Sequence, residues 1–521
     1  MKANNKKIKV GLISLGCAKN LVDSEIILGN LISSGMEITS DPKAADVLII
    51  NTCSFINSAK EESVDTILEM SELNSRHRPD QCLVVAGCLP QLYQQQLPKL
   101  LPEVDAFIGI DQIQEVSNIV LEVYEKRKKI LKKCEQPKSA CSGARTIKRD
   151  LNLPQVVYIN QKPTFIPDYQ TPRFRLTPNH FAYLKIAEGC NHPCSFCIIP
   201  KIRGPYRSRQ LDDIVKETEL LIKQGVKEIN LISQDSTYYG WDFLPPVQRR
   251  LLHKRINTKT DFDFPNLSKL LLELNKIKGD FWIRLLYTHP AHWTDELIHT
   301  ISKCEKVARY VDIPLQHIDD VMLVRMRRET TSEYIKELLY KIRSNIPDIA
   351  LRTTFIVGFP GETESRFESL LNFIKEIKFE RLGVFTYSQE EGTRAALMSN
   401  QIPDTIKKKR QDILMAEQRK ISRSICSAKV GKVLKVLVEG VVDSDELKES
   451  GVFSSEHGFT RESNAIPDFI KQNKQLFVAR SQFDAPDIDG RIYIAGKTPI
   501  GKFINVKIIG YSDYDLLAVP E

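Results

Sequence analysis

A run of three closely spaced cysteines is the sharpest chemical signal in the sequence. Cys190, Cys194 and Cys197 form the pattern Cys-x-x-x-Cys-x-x-Cys. Three thiolates on one tight loop can hold three corners of a cubane iron–sulfur cluster. A structural zinc site would want a fourth ligand, which His192 could supply in principle. Because His192 lies inside the turn that must already aim three sulfurs at one centre, the run favours iron–sulfur ligation over zinc.

A second set of cysteines lies near the amino terminus. Cys17, Cys53 and Cys88 each come one or two residues after a predicted strand, whereas Cys82 begins its strand. Ligands of parallel sheets gather at the carboxyl ends of the strands. We therefore expect three thiols at one edge of one sheet, with Cys82 at the opposite end. The alternative is that the three are ordinary buried core cysteines.

The elements that must position these thiols form an alternating pattern over residues 1–125. Apolar strands at 9–15, 46–51 and 82–86 are each followed by helical sequence. This βαβ rhythm predicts a parallel sheet in an amino-terminal domain. Residues 126–178 are basic and poorly periodic, and they predict a linker in which Cys134 and Cys141 are incidental.

Residues 179–403 resume the βα alternation and predict a partial (β/α)6 barrel. The predicted strands are 182–187, 228–233, 282–287, 310–314, 351–357 and 382–387. Polar residues again follow the strand ends, which form the active face in barrels of this kind. His289, His292 and His317 lie on or near that face, and each is either functional or a satisfied structural histidine. We assign no catalytic residue beyond the cluster ligands.

The last part of the chain predicts a helix over 404–430 and then a small, OB-like β-barrel over 431–521. Alternating residues at 432–439, 477–480, 491–495 and 502–509 indicate its strands. Two polar stretches, 241–263 in the central domain and 443–474 in the terminal one, predict insertions.

Composition limits the class of protein. The chain has 521 residues, is 42% hydrophobic and 27% charged, and carries a formal net charge of +8, which predicts several globular domains. No apolar run approaches the roughly 18 residues needed to cross a bilayer. We expect a cytoplasmic protein with no membrane partner. Eleven cysteines, an odd number, favour reduced thiols over a disulfide framework.

The cysteine run, with Phe196 before its last cysteine, resembles the signature of radical S-adenosylmethionine (SAM) enzymes. The resemblance implies a 4Fe-4S cluster whose open iron binds SAM and delivers the electron that cleaves it. Gln234 follows the second barrel strand, and Gly358 and Gly361 follow the fifth. With Phe196, these residues are placed to contact SAM, because glycine admits close backbone approach. Alternatively, the two glycines only shape a turn.

The amino-terminal triad and the terminal barrel extend the resemblance to the methylthiotransferases, and most closely to the RimO-type ribosomal protein methylthiotransferases. In that family the triad holds a second 4Fe-4S cluster, which carries sulfur, and the terminal barrel is a TRAM domain. Relatives that modify transfer RNA carry other residues where this chain has Ala18-Lys19-Asn20 and Phe55-Ile56. The segments that carry the resemblance are 14–25, 51–56, 87–91, 185–204, 285–289, 312–317, 351–363 and 485–490.

The resemblance implies a substrate and partners. The substrate would be the β-carbon of one aspartate in the twelfth protein of the small ribosomal subunit, free or in the ribosome, with a transfer RNA adenosine as the alternative. We also expect an electron donor such as flavodoxin or ferredoxin, and a monomer. The acidic stretch 484–489 would suit a basic ribosomal protein, or else be a solvated turn. A non-catalytic iron–sulfur or RNA-binding factor is the rival from another class.

Overall fold

Two units of structure divide the chain. The computed structural model describes residues 7–78, 80–134, 155–254, 263–443, 453–454, 459–460 and 475–521. The first unit comprises Met1–Leu176, Glu188–Asn191 and Ile198–Arg207, and the second comprises Thr177–Ala187, His192–Cys197 and Ser208–Glu521. None of the described helices is both long and apolar enough to cross a membrane. The predicted domain boundaries, at residues 125, 178, 403 and 430, stay predictions.

The first unit is built on a parallel six-stranded sheet, as predicted, in the order β2-β1-β3-β4-β5-β6. Its strands are β1 (Lys9–Ser14), β2 (Glu37–Thr39), β3 (Val47–Thr52), β4 (Cys82–Gly87), β5 (Ala106–Ile108) and β6 (Val156–Tyr158). Its helices are α1 (Ala18–Ser33), α2 (Asn57–His77), α3 (Cys88–Leu92), α4 (Leu97–Leu100) and α5 (Val116–Cys134). Every residue of β3 and β4 is buried, because central strands of a parallel sheet are covered on both faces.

The stretch predicted as a linker takes part in this sheet. Helix α5 continues to Cys134, and β6 pairs with β5 at the sheet edge. Residues 135–154, with Cys141, lie outside the described part of the chain, and the side chain of Cys134 is not described. A strand of three residues inside basic, proline-containing sequence is too short to show a recognisable alternation of polar and apolar residues.

The segment after the first strand of the central sheet is irregular. It follows β7 (Phe181–Lys185) and contains β8 (Ala187–Glu188), α6 (Ile199–Arg203) and β9 (Arg207–Ser208). Strands β8 and β9 pair with each other as a small separate sheet. The Cys-x-x-x-Cys-x-x-Cys run lies between β8 and α6, so its three cysteines occupy loop positions after the first barrel strand.

The second unit contains the predicted six-stranded parallel sheet, in the order β14-β13-β12-β11-β10-β7. Its further strands are β10 (Glu228–Ile232), β11 (Trp282–Leu285), β12 (Val307–Asp312), β13 (Ala350–Val357) and β14 (Arg381–Thr386). The accompanying helices are α7 (Leu211–Lys223), α8 (Pro246–Lys254), α9 (Leu267–Lys276), α10 (Asp295–Lys303), α11 (Asp320–Met326), α12 (Ser332–Asn345), α13 (Glu364–Ile377) and α14 (Asp404–Ser427). Apart from β8 and β9, which pair only with each other, neighbouring strands of this sheet follow one another along the chain, which is the strand order of a partial barrel. Helix α8 lies in the predicted insertion 241–263, of which residues 255–262 lie outside the described residues.

A closed five-stranded β-barrel ends the second unit, in the order β15-β18-β19-β21-β20. The barrel strands are β15 (Val433–Asp443), β18 (Gln475–Ser481), β19 (Ile492–Ile494), β20 (Phe503–Tyr511) and β21 (Leu516–Pro520). A separate two-stranded sheet consists of β16 (Phe453–Ser454) and β17 (Phe459–Thr460). Four barrel strands match the predicted ones, and β21 was not predicted because its residues do not alternate in polarity. Apart from the short pair β16 and β17, residues 444–474 lie outside the described chain, and the predicted insertion 443–474 falls almost entirely there.

Buried ion pairs join the terminal barrel to the partial barrel within the second unit. Arg480 of β18 donates to both carboxylate oxygens of Glu228 on β10, at 3.3 and 2.8 Å, and to Glu439 of β15. Arg284 of β11 donates to the same Glu228 at 2.7 Å. Glu228 is fully buried, and Arg480 is 2% exposed. Such pairs hold charges in fixed positions, because removal of either partner would leave the other buried and unpaired.

The acidic stretch 484–489 is part of this junction. Asp484 is 2% exposed and pairs with Arg381 of β14. Asp489 is also buried and accepts a hydrogen bond of 2.8 Å from the Tyr310 hydroxyl. The interpretation of the stretch as a surface for a basic protein, or as a solvated turn, is therefore wrong for these two aspartates. Their charges are neutralised inside the protein, and sequence alone could not supply the arginine partners.

We predict that Asp484→Asn destabilises the protein at neutral pH by about 3 kcal/mol, because Arg381 loses its buried counter-charge. Burial would raise the pKa of Asp484, but Arg381 and Lys429 outweigh it and lower the pKa to about 2 from the ordinary 3.8. The stabilisation is thus complete above the ordinary pKa and disappears as the pH falls toward 2.

Thermal unfolding of the wild type and the variant, measured from about pH 5 to about pH 2, checks this prediction. The difference in unfolding temperature should narrow as the pH falls. The exposed aspartate Asp212 provides the control, since Asp212→Asn should cost no more than about 0.5 kcal/mol at any pH. A difference that stays constant over this range would contradict the buried ion pair.

Candidate iron–sulfur and cofactor site

Three neighbouring strands of the first unit end level with one another and bring the amino-terminal cysteines together. Ser14 of β1 is paired with Asn51 of β3, and Thr52 of β3 with Gly87 of β4. Cys17 lies at the start of α1, Cys53 follows β3 directly, and Cys88 opens α3. The three thiols are close enough to interact electrostatically with one another. Cys82 begins β4, at the other end of the sheet, as predicted.

Two turns at this edge require glycine. Gly16 has a φ of 86°, and a Cβ there would lie 2.7 Å from the Cβ of Cys53 and 3.0 Å from its sulfur. Gly87 has a φ of 95°, and a Cβ there would lie 2.3 Å from Oδ1 of Asn51. Both conformations disfavour side chains. The glycines therefore let the chain before Cys17 and Cys88 approach the neighbouring strand closely.

The protonation of these thiols depends on their surroundings. Burial, and then the nearby Cys88 and Cys17 sulfurs, raise the pKa of Cys53 to about 12. Burial also raises the pKa of Cys88, and Arg203 opposes that shift. Thiols with raised pKa values ionise at neutral pH only when a cation binds them, because the metal replaces the proton. Three convergent thiols fit three corners of a 4Fe-4S cluster.

An arginine that sequence reasoning left without a role contacts this triad. Arg203 ends α6, is 2% exposed, and donates from Nη2 to the Cys88 sulfur at 3.2 Å. Its Nη1 donates to Asp23 on α1 at 2.7 Å. Arg203 lies in segment 185–204, one of those that carry the family resemblance, but nothing in the local sequence indicates which thiol it contacts. The residue was missed because the contact joins distant parts of the chain.

The cysteine run is held by backbone contacts on either side. In the first unit, the Cys190 N–H donates to the Gly204 carbonyl at 3.1 Å. In the second unit, the Cys197 N–H donates to the Cys194 carbonyl at 3.2 Å, so these two cysteines share a turn. Arg328 donates to the Cys194 sulfur at 3.6 Å. This contact places a permanent positive charge beside one sulfur of the run.

The four predicted SAM contacts lie at or near the carboxyl ends of the second unit's strands. Phe196 packs edge-on against Phe359, with 6.5 Å between ring centres, beside Met322 and Met326. Gln234 lies two residues past β10. These positions are those expected for the active face of a barrel.

The two glycines among these predicted contacts pack against the chain itself. A Cβ on Gly358 would lie 2.2 Å from Cγ of Lys407, and one on Gly361 would lie 3.0 Å from the Arg325 guanidinium. Both glycines have positive φ values, 71° and 84°. The close packing of Lys407 and Arg325 supports the turn-shaping alternative for Gly358 and Gly361. Their assignment to SAM stays a prediction.

A buried cluster of histidines lies beside the cysteine run in the second unit. Asp235 accepts from His192 at 2.8 Å and from His292 at 2.7 Å, and the rings of His192 and His289 stack with centres 3.8 Å apart. Ligand atoms of these four residues lie within 4.8 Å of one another. Imidazole and carboxylate could together bind a divalent transition metal. The hydrogen bonds to Asp235 also hold the His192 and His292 side chains in place.

The histidines of this face differ in charge and partners. Burial lowers the pKa of His192, but hydrogen bonds to Asp235 and Glu329 outweigh it and raise the pKa to about 9. Burial, and then the charge of Arg328, lower the pKa of His289 well below its ordinary value, so His289 is neutral. His317 makes a hydrogen bond with Glu362 at 3.1 Å and accepts one from the Asp319 N–H. His317 is thus a satisfied structural histidine.

Comparison with protein families matches three parts of the sequence. Residues 9–109 match the Uncharacterized protein family UPF0004, residues 184–374 the Radical SAM superfamily, and residues 464–520 the TRAM domain. The Radical SAM match contains the cysteine run, and the TRAM match lies where the terminal β-barrel is predicted.

Similar proteins extend over the whole chain. The ribosomal protein uS12 methylthiotransferase RimO of Opitutus terrae is 50% identical over 519 residues, which cover 98% of this chain and 97% of that protein. Proteins of the same name from Akkermansia muciniphila and Acetivibrio thermocellus are 45% and 41% identical. Those alignments cover 98% of this chain and, respectively, 99% and 98% of the relatives. The chain belongs to the RimO family of ribosomal protein uS12 methylthiotransferases, within the radical SAM superfamily.

Proposed function

We propose that this chain is a radical SAM methylthiotransferase that adds a methylthio group to the β-carbon of one aspartate of ribosomal protein uS12. The convergence of Cys17, Cys53 and Cys88 at one sheet edge is the observation that carries the proposal. A radical SAM enzyme that only generated a radical would not need a second thiol triad. Membership of the RimO family supports the choice of uS12 over a transfer RNA adenosine.

The two sets of cysteines would hold two 4Fe-4S clusters, each with three thiolate ligands and one open iron. When bound, one cluster supplies the electron that cleaves SAM, and the other supplies the sulfur that is methylated and transferred. The ligands of the first would be Cys190, Cys194 and Cys197, and those of the second Cys17, Cys53 and Cys88.

The chain's own residues would prepare both positions. Arg328 donates to the sulfur of Cys194, and Arg203 donates to the sulfur of Cys88. Phe196, with Phe359 and the methionines beside it, forms an apolar wall that excludes water from its side of the site. Phe196, Gln234, Gly358 and Gly361 are the proposed SAM contacts.

The setting of the reaction is part of the proposal. The enzyme would act in the cytoplasm as a monomer on uS12, free or in the ribosome, with an electron donor such as flavodoxin or ferredoxin. The TRAM barrel would grip the protein substrate, but not through Asp484 and Asp489, whose charges are buried.

Separate roles for the two triads lead to a first functional prediction. Cys194→Ala should abolish formation of 5′-deoxyadenosine from SAM, because the electron has no cluster to come from. Cys53→Ala should leave that cleavage intact but stop methylthio transfer to uS12. Chromatography of deoxyadenosine and mass spectrometry of uS12, after anaerobic incubation with dithionite, measure both activities.

Cys82→Ala is the matched control for Cys53→Ala. Cys82 is a buried cysteine of the same sheet, but it lies at the opposite strand end. The folded Cys82→Ala variant should retain both SAM cleavage and methylthio transfer. Equal loss of both activities in Cys53→Ala, with Cys82→Ala active, would count against separate roles for the triads.

Iron content gives a second prediction that does not depend on substrate. The anaerobically reconstituted chain should bind about eight iron atoms and about eight sulfides. Replacement of all three cysteines of either triad by alanine should reduce both values to about four. Colorimetric iron and sulfide analysis checks this prediction. About four iron atoms in the wild-type chain would contradict the presence of a second cluster.

Substrate choice gives a third prediction. Anaerobic incubation with SAM, reductant and either uS12 or unmodified transfer RNA should yield methylthio product only with uS12. Mass spectrometry of tryptic peptides and of nucleosides detects the two products. Methylthioadenosine in the transfer RNA, with unmodified uS12, would show that the alternative substrate is correct.

A further inference from the structure

The surroundings of Arg203 differ from those of an ordinary buried arginine. Its guanidinium reaches four side chains of the first unit. The distances are 3.2 Å to the sulfur of Cys88, 2.7 Å to Asp23 Oδ2, 3.5 Å to Glu188 Oε2 and 3.5 Å to Asn20 Oδ1. A guanidinium stays charged at any physiological pH. Arg203 therefore places a permanent positive charge beside a sulfur of the triad.

Arg209 shows what a purely structural arginine looks like in this chain. It is equally buried and also has two carboxylate partners, Asp213 and Glu217, together with the carbonyl of Lys185. At Arg209 the two carboxylates and the carbonyl are thus the partners of the guanidinium. At Arg203 the two carboxylates share Nη1, while Nη2 is directed at Cys88.

Arg203 also contacts the helix that follows Cys17. Asn20 and Asp23 lie in the first two turns of α1, which begins directly after Cys17. Asn20 is itself held by the Leu15 carbonyl at 2.6 Å and by the side chain of Asn51. By contacting these residues and the Cys88 sulfur, Arg203 connects the helix after Cys17 with the start of α3. The connection links the first turns of the helix after Cys17 to the sulfur of Cys88.

A donor to a ligating sulfur changes the energetics of a cluster. The cluster becomes more negative when it gains an electron, and a hydrogen bond from a cation stabilises the more negative state. The two carboxylates beside the guanidinium act in the opposite direction. The potential of such a cluster therefore depends on the balance between Arg203 and its neighbours Asp23 and Glu188.

We propose that Arg203 is a positioning residue that holds Cys88 and raises the reduction potential of the cluster bound by Cys17, Cys53 and Cys88. This inference rests on the proposed function, because it presupposes that cluster. Arg203 touches a cluster ligand rather than the substrate, so its effect must be visible in the cluster itself.

The test measures the potential of this cluster alone. In a full-length chain carrying Cys190→Ala, Cys194→Ala and Cys197→Ala, only the amino-terminal cluster can be reconstituted. Its one-electron midpoint potential is measured by electron paramagnetic resonance during an anaerobic dithionite titration, alongside iron content. Arg203→Gln, Arg203→Lys, Asp23→Asn and the control Arg209→Gln are compared in this background.

We expect the midpoint potential to shift in opposite directions in the Arg203→Gln and Asp23→Asn variants. Arg203→Gln should lower the equilibrium constant for reduction about tenfold, which is about 59 mV for a one-electron couple. Asp23→Asn should raise the potential, because the carboxylate that offsets the guanidinium is gone. Arg203→Lys should restore part of the loss, and Arg209→Gln should leave the potential unchanged.

Other results distinguish a failure of the role of Arg203 from a failure of the proposed function. An unchanged potential in Arg203→Gln, with iron content preserved, would overturn the role of Arg203. If Arg203→Gln fails to fold or bind iron, Asp23→Asn and Arg203→Lys decide: unchanged potentials in both overturn the role, and the expected shifts support it. Absence of any cluster in the background chain would instead refute the proposed function.

Discussion

The level ends of three neighbouring parallel strands are the constraint on which the proposed chemistry depends. Strands β1, β3 and β4 pair in register through Asn51 and Thr52, so the loops that follow them open at the same height. Each loop carries one cysteine within three residues of its strand. A shift of one strand by one residue would turn its side chains to the other face. The thiol triad is therefore a product of sheet register as well as of cysteine spacing.

Burial gives this arrangement its chemical character. The raised pKa values of Cys53 and Cys88 keep these thiols protonated until a cation replaces the proton, and the Arg203 guanidinium opposes both shifts. Buried charge has a structural use as well, in the junction between the partial barrel and the terminal barrel. There Glu228 and Arg284 of the partial barrel form buried ion pairs with each other and with Arg480 of the terminal barrel. Fixed charge partners specify one arrangement where apolar surfaces would allow several.

Sequence periodicity predicted most of the fold, because long helices and strands show a regular pattern of apolar residues. It also predicted that Cys17, Cys53 and Cys88 lie together, since the carboxyl ends of parallel strands share one edge. Strands β6 and β21 were not predicted, because three residues in basic sequence and a non-alternating terminus carry no period. The partners of Asp484 and the contact of Arg203 with Cys88 were beyond reach, since both join residues more than 100 positions apart.

Diffraction at the iron absorption edge, from crystals grown without oxygen, tests the central claim most directly. Two separate iron peaks are expected, one bonded to Cys190, Cys194 and Cys197 and the other to the amino-terminal triad. The second peak should have Cys17, Cys53 and Cys88 as its only cysteine ligands, with Arg203 directed at the sulfur of Cys88. A single peak at the cysteine run, with the amino-terminal thiols free in fully loaded protein, would contradict the account.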